Sequence, residues 1–364
     1  MPGKDLRPSL RAPLLALGVV GLAFGVLGGL WRLGWEPPLP GTEPASFHGA
    51  LMVAAFFGAL VGLQRATAYG RRIAYLAPAC AAAGGALTAL GAPHPVSASL
   101  LLAGSVLLAA LAIVSCRRQA APHTLAALAG ALCGIGGNLL WLVGLPASQA
   151  VGAWLAFVVL AACGERLELS HLRRPTVGTL ALLATAALLL LAGALTLPLR
   201  WHAGTALTGA GLAGLSLWLL VNDVARRNLR HHGQMRFTAV CLVGGYVWLG
   251  IGGLLLPFAA ASGPLYDAAL HAVFLGFIFA LVVGHASLVI PALLGVAVPY
   301  APFFYVHLGL LNTTLLLRVA GDLAARPAWS AWGGLGNAVA LALFLVAAGV
   351  GALRGRLDEN NSAG

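Results

Sequence analysis

The chain is poor in charge and poorer still in acid. Only 9% of its 364 residues are charged, and just 10 are Asp or Glu. A soluble domain carries about 25% charged residues, so an ordinary solvated enzyme is excluded. No stretch leaves room for a soluble domain of useful size. Cysteine is also scarce. The five present (Cys80, Cys116, Cys133, Cys163, Cys241) form no CxxC and no CxxCH. Covalent c-type haem attachment is thereby excluded, disulfides are not expected, and burial of single thiols is the simplest reading. No cleavable signal peptide is expected, because the first apolar run is too long and no small-residue cleavage site follows it. No internal repeat stands out. No span interior holds a clear Asp or Glu, which counts against a proton pump or proton-coupled transporter.

What the chain does have is apolar length. It is 60% hydrophobic, with a mean hydropathy of +0.92. Apolar runs lie near 11–34, 46–65, 73–91, 98–115, 124–143, 148–164, 176–198, 204–222, 237–258, 266–288, 303–318 and 330–352. Each is close to the ~20 residues that cross a bilayer. The net charge of +11 sorts by position. Lys4, Arg7 and Arg11 precede the first run. Arg71 and Arg72, Arg117 and Arg118, Arg173 and Arg174, then Arg226, Arg227, Arg230 and Arg236 fill every second connection. Arg354 and Arg356 follow the last run. The charge therefore reads as a topology signal with both termini in the cytoplasm, and not as a nucleic-acid surface. Trp31, Trp35, Trp201, Trp329 and Trp332 fall at predicted outer ends, as an aromatic belt would. EPPLPGTEP (36–44), APHP (92–95) and PLRW (198–201) mark connections. The 48 glycines let helices pack closely and leave room for a flat macrocycle. The expected fold is all-α: one integral membrane domain over 1–364, a polytopic transmembrane bundle of about 12 spans.

Ten histidines carry most of the available chemistry. His94 and His202 lie in predicted outer connections, and His123, His171, His231 and His232 in cytoplasmic ones. These six read as solvated. The adjacent pair His231-His232 could hold copper, but it stands in a hydrophilic connection. The other four lie in spans, where an unpaired imidazole is costly and should meet a helix, a metal or a cofactor. His48 and His271 are near the outer face, and His285 and His307 near the inner. Within DAALHAVFLGFIFALVVGHASLVIP, His271 and His285 are fourteen residues apart. On an α-helix that is a rise of about 21 Å and about 40° short of four turns, so both rings would point one way. The expectation is haem b held by His48 and His271 as two facing axial imidazoles, with His285 and His307 forming a second metal centre of haem or copper. Helix packing through hydrogen bonds is the alternative for the inner pair. Arg318, with Arg32, would pair with haem propionates; an i,i+4 bridge from Arg318 to Asp322 is the other reading. Asn138, Asn312, Thr313, Thr314 and Tyr246 are expected to bond between helices.

FHGALMVAAFFG (47–58) resembles the second helix of heme-copper oxidase subunit I, which implies a haem-ligand role for His48. GHASLVIP (284–291) is similar to the copper-ligand helix of that family, implying a metal role for His285. Val289 stands where those oxidases have Tyr, and their His-x-His haem helix is missing. In length, topology and histidine placement most of the chain, as a hydropathy pattern, resembles the NnrS family. Those are bacterial polytopic proteins that bind haem and copper and are linked to nitric oxide stress and denitrification. The resemblance implies a bacterial inner-membrane protein in nitrogen-oxide metabolism. Two other readings stay open. One is a transmembrane electron-transfer oxidoreductase of heme-copper oxidase or b-cytochrome type, taking electrons from quinol. The other is a transporter for a small solute or metal ion.

Overall fold

A backbone in lipid must satisfy its own polar groups, and helices do so within one segment. The computed structural model describes residues 5–37, 45–169 and 176–362, and among these every regular element is helical. Lys4, Arg173, Arg174, His171 and most of the 36–44 connection lie outside the described residues. Helix α1 is Pro8–Arg32. A π-helix, π1 (Ala50–Phe57), runs directly into α2 (Gly58–Tyr69). A 3₁₀ turn precedes α3 (Leu76–Ala89). Then come α4 (His94–Arg118), α5 (Pro122–Leu142), α6 (Ala147–Leu169), α7 (Val177–Thr196), α8 (Trp201–Asn222), the short α9 (Ala225–Asn228) and α10 (Gly233–Leu255). Next, α11 (Pro264–His271), a second π-helix, π2 (Ala272–Phe279), and α12 (Ala280–Leu294) form one continuous rod. Helices α13 (Phe304–Leu323) and α14 (Pro327–Ser362) complete the chain.

Every predicted span falls on a helix. Among the described residues, 10 helices are long and apolar enough to cross a membrane. The other two predicted spans meet α3, with only 14 residues, and α13, which carries Arg318 and Asp322. Boundaries follow local chemistry. Pro8, Pro122, Pro264 and Pro327 open helices, where the missing N–H costs nothing. Gly70 and Gly295 end α2 and α12 in the left-handed region, at φ 70° and 65°, which a side chain would resist.

The chain divides into two compact units. The first comprises Met1–Leu172 and Leu190–Thr205; the second comprises Arg173–Leu189 and Ala206–Gly364. In the first, a glycine edge of α1 lies against π1 and α2. A Cβ on Gly18 would come within 3.2 Å of Ala59, and one on Gly25 within 2.9 Å of the Met52 sulfur. Asn138 on α5 ties three helices together. It donates to the Leu101 carbonyl on α4 at 2.9 Å and accepts from the Trp154 indole on α6 at 2.9 Å. Asp5 anchors the start of α1, accepting from Arg11 at 2.7 Å and from the Tyr75 hydroxyl at 2.9 Å. In the second unit α10 packs along π2, with Trp248 over Gly276 and Val273 against Gly252. Trp248 donates to Asn312 on α13 at 2.8 Å. Asn337 on α14 donates to Thr314 on α13 at 2.7 Å.

These contacts bear out the interhelical reading for Asn138, Asn312 and Thr314. Thr313 differs: it is exposed and its hydroxyl folds back onto the Gly309 carbonyl of its own helix. Of the histidines read as solvated, His202, His231 and His232 are exposed. His123 is buried instead, at the first turn of α5, and His94 is half-buried against the Trp141 ring.

Candidate functional site

π-Helix is rare, well under 1% of residues in ordinary proteins, and it concentrates at functional positions. Here each π segment is eight residues long. Their placement is specific. π2 begins at the residue after His271, and π1 begins two residues after His48. Both segments are almost wholly buried, as their compositions ALMVAAFF and AVFLGFIF require.

The phase relation between His271 and His285 changes as a result. An i→i+5 winding turns less per residue than an α-helix. Eight such residues separate the two histidines, so the same-direction alignment calculated for an unbroken α-helix does not hold.

The imidazoles are oriented by backbone. His48 Nδ1 is 2.6 Å from the Gly25 carbonyl on α1, His271 Nδ1 is 2.8 Å from the Asp267 carbonyl, and His285 Nδ1 is 2.9 Å from the Leu281 carbonyl. A carbonyl only accepts, so in each ring Nδ1 carries a hydrogen. Metal-ligating histidines are held in this way, with the second nitrogen donating to a carbonyl or carboxylate. Gly29 makes the arrangement possible for His48, since a Cβ there would lie 2.9 Å from the ring. Phe47 and Gly49, on either side of His48, pack against Trp141 and Trp154 respectively.

His48 belongs to the first unit, and His271, His285 and His307 to the second. His307 is of a different kind. It is 2% exposed, and neither ring nitrogen has a hydrogen-bond partner. Phe303, Phe304 and Phe344 surround it at ring-centroid distances of 6.4, 5.6 and 5.6 Å. A buried polar ring without a partner costs free energy that an apolar residue would not, and such groups call for an explanation beyond packing. His285 and His307 both adjoin one apolar cluster: Val283 and Ala286 lie on either side of His285 in sequence, Leu308 follows His307, and Cys241 and Phe344 belong to the same cluster. Among the described residues no three His, Cys, Asp or Glu side chains converge as a metal site. An axial haem nitrogen or a two-histidine centre requires fewer.

Arg318 is placed differently from the i,i+4 reading. It makes a bidentate pair with Asp267 on α11, donating from Nε to Oδ2 at 2.8 Å and from Nη2 to Oδ1 at 3.1 Å. Asp322 turns instead to Ser330, which donates at 2.6 Å. Asp267 is thus an acid inside a membrane-length helix, a residue that the sequence reading passed over. The signal was present as DAALH, with Asp and His four apart on one helix face. His271 Nδ1 is 3.4 Å from the same carboxylate. Arg32 is exposed in the last turn of α1, where its charge suits the helix C-terminus.

What suits haem here is the hold on the rings: His48 and His271, each within its own unit, have Nδ1 fixed by a backbone carbonyl, as a haem-ligating imidazole would. In a comparison with curated proteins, none matches the chain. A family model described as a domain of unknown function, DUF8744, matches residues 11–353, and the chain belongs to that family.

Proposed function

We propose that this is an inner-membrane protein of bacteria that binds haem b through intramembrane histidines. It resembles the NnrS family and serves nitrogen-oxide metabolism or nitric oxide tolerance. The observation that carries the reading is the treatment of His48 and His271. Both have Nδ1 on a backbone carbonyl, and both stand at the head of a π-helix. When bound, haem supplies an iron that exchanges an electron and can take a diatomic ligand. The chain's own part is to present Nε2 lone pairs, to exclude water with the buried π segments, and to hold charge at the outer end through Arg318 and Asp267. An optical spectrum tests this most cheaply. Purified protein should show a Soret band and reduced α-bands, with the haem extractable by acid acetone. A colourless protein sinks the haem reading and favours transport, for which Asp267, a half-buried acid in a membrane-length helix, is the supporting feature.

The finer topology belongs to the same proposal: about 12 spans, with α3 and α13 counted, and both termini cytoplasmic. Reporter fusions after residues 40 and 364 should score outside and inside respectively. A C-terminus scored outside would remove one span from the count.

The inner pair is assigned a second metal centre, of copper or haem. Its support is the buried, unbonded His307 and the fixed tautomer of His285. Imidazole nitrogens suit copper. His285→Ala and His307→Ala should each lose copper or one haem equivalent by metal analysis. Unchanged metal content together with a lowered thermal midpoint would make both of them packing residues.

A further inference from the structure

Asp267, Arg318 and His271 form one largely enclosed chain of contacts, and its order is informative. Arg318 grips both carboxylate oxygens of Asp267. The Asp267 backbone carbonyl takes His271 Nδ1 at 2.8 Å, and its carboxylate stands 3.4 Å from that same nitrogen. The guanidinium side chain is 8% exposed and the carboxylate 24%. A single residue therefore faces the imidazole nitrogen twice, with its main-chain carbonyl and with its carboxylate. Such a duplicate is not needed to pack an α-helix. The carbonyl alone would fix the tautomer.

We propose that Asp267 is a positioning residue that sets how strongly His271 donates electrons to a bound haem iron, with Arg318 as its counter-charge. The inference rests on the reading of His271 as an axial ligand. A carboxylate beside Nδ1–H pulls the hydrogen toward itself and makes Nε2 a stronger donor. A stronger donor favours ferric over ferrous iron. Arg318 pulls the carboxylate's charge the other way and limits the effect. The arrangement is a balance, and its two arms carry opposite signs.

The test is a redox titration of the purified haem protein with mediators, combined with ferric low-spin EPR and a thermal melt. Asp267→Asn keeps an oxygen for Arg318 but removes the charge, and it should raise the midpoint potential. Arg318→Gln keeps a donor for Asp267 but removes the opposing charge, and it should lower it. Each shift should change the ferrous-to-ferric ratio at the wild-type midpoint about tenfold, equivalent to about 59 mV for one electron. Asp267→Glu should return the potential toward wild type. The g values should move in Asp267→Asn and return in Asp267→Glu, because the effect passes through the ligand. Shifts of the same sign in Asp267→Asn and Arg318→Gln, or no shift in either, overturn the proposal. So does a potential shift with unmoved g values, which would be a through-space charge effect only. If Asp267→Asn purifies without haem, Asp267→Glu decides. Haem retained at the wild-type potential supports the role; loss in both variants makes Asp267 structural and overturns it. A wild-type protein without haem instead refutes the functional reading beneath it.

Discussion

His48→Ala and His271→Ala are each expected to abolish the low-spin haem spectrum, while His202→Ala leaves it intact. Each of the first two changes removes a proposed axial ligand whose ring is held by a backbone carbonyl. Among the described residues of the first unit, the other histidines are placed otherwise. His94 is taken up against Trp141, and His123 is buried at the start of α5, where it lies at the opposite end of that helix from Trp141. His202 is exposed and has no part in either π segment. A milder version tests the cradle. Gly29→Val would press its Cβ into the His48 ring and tilt it off the Gly25 carbonyl. Disturbing the group that orients a ligand costs about 10–100-fold in affinity, so this variant should load poorly but be rescued by excess haem. Haem content measured against protein mass gives the answer for all of them. A full spectrum in His48→Ala or in His271→Ala would remove that histidine from the ligand set.

Much of the architecture was legible because hydropathy and arginine placement are one-dimensional signals. Each apolar run became a helix, and Pro8, Pro122, Pro264 and Pro327 mark starts that sequence rules anticipate. The four intramembrane histidines were also visible, since a polar ring in an apolar run stands out by contrast. What could not be read was how each ring is held. The Gly25–His48 contact joins residues twenty-three apart, and no local pattern announces it. The π segments were hidden for a different reason. LMVAAFF and AVFLGFIF are apolar all round, so no periodic stripe distinguishes an i→i+5 winding from an α-helix. Arg318 misled by proximity. Asp322 is its sequence neighbour at i+4, but Asp267 offers both oxygens from another helix, and a bidentate geometry outcompetes a flexible single contact. Asp267 itself stands at the very start of its apolar run, in the first turn of α11, where a search of span interiors passes over it.

Arg318→Leu is expected to be the most destabilising single change in the second unit. It would leave the Asp267 carboxylate without either of its guanidinium donors, beside a ring already committed through its Nδ1. Removing one partner of a fully buried pair costs about 3–5 kcal/mol; the Asp267 side chain is 24% exposed, so water screens part of the charge left behind and the expected cost lies below that range. Packing compounds the loss, since α14 approaches α13 so closely at Gly333 that the Arg318 backbone lies against it. The double variant Arg318→Leu with Asp267→Leu removes both charges and should recover much of the stability, as replacing a whole buried pair with apolar groups is often neutral. That recovery separates charge from shape: the double variant loses more side-chain chemistry than the single one and should still melt higher. Thermal melts in detergent, read by the four members of the cycle, measure the coupling directly. A double variant that melts below Arg318→Leu would mean that the pair holds α11 to α13 by geometry, with its charge contributing little. It would also predict that a rigid apolar contact of the right volume cannot replace it, so that the packing of α11 on α13 depends on those two hydrogen bonds themselves.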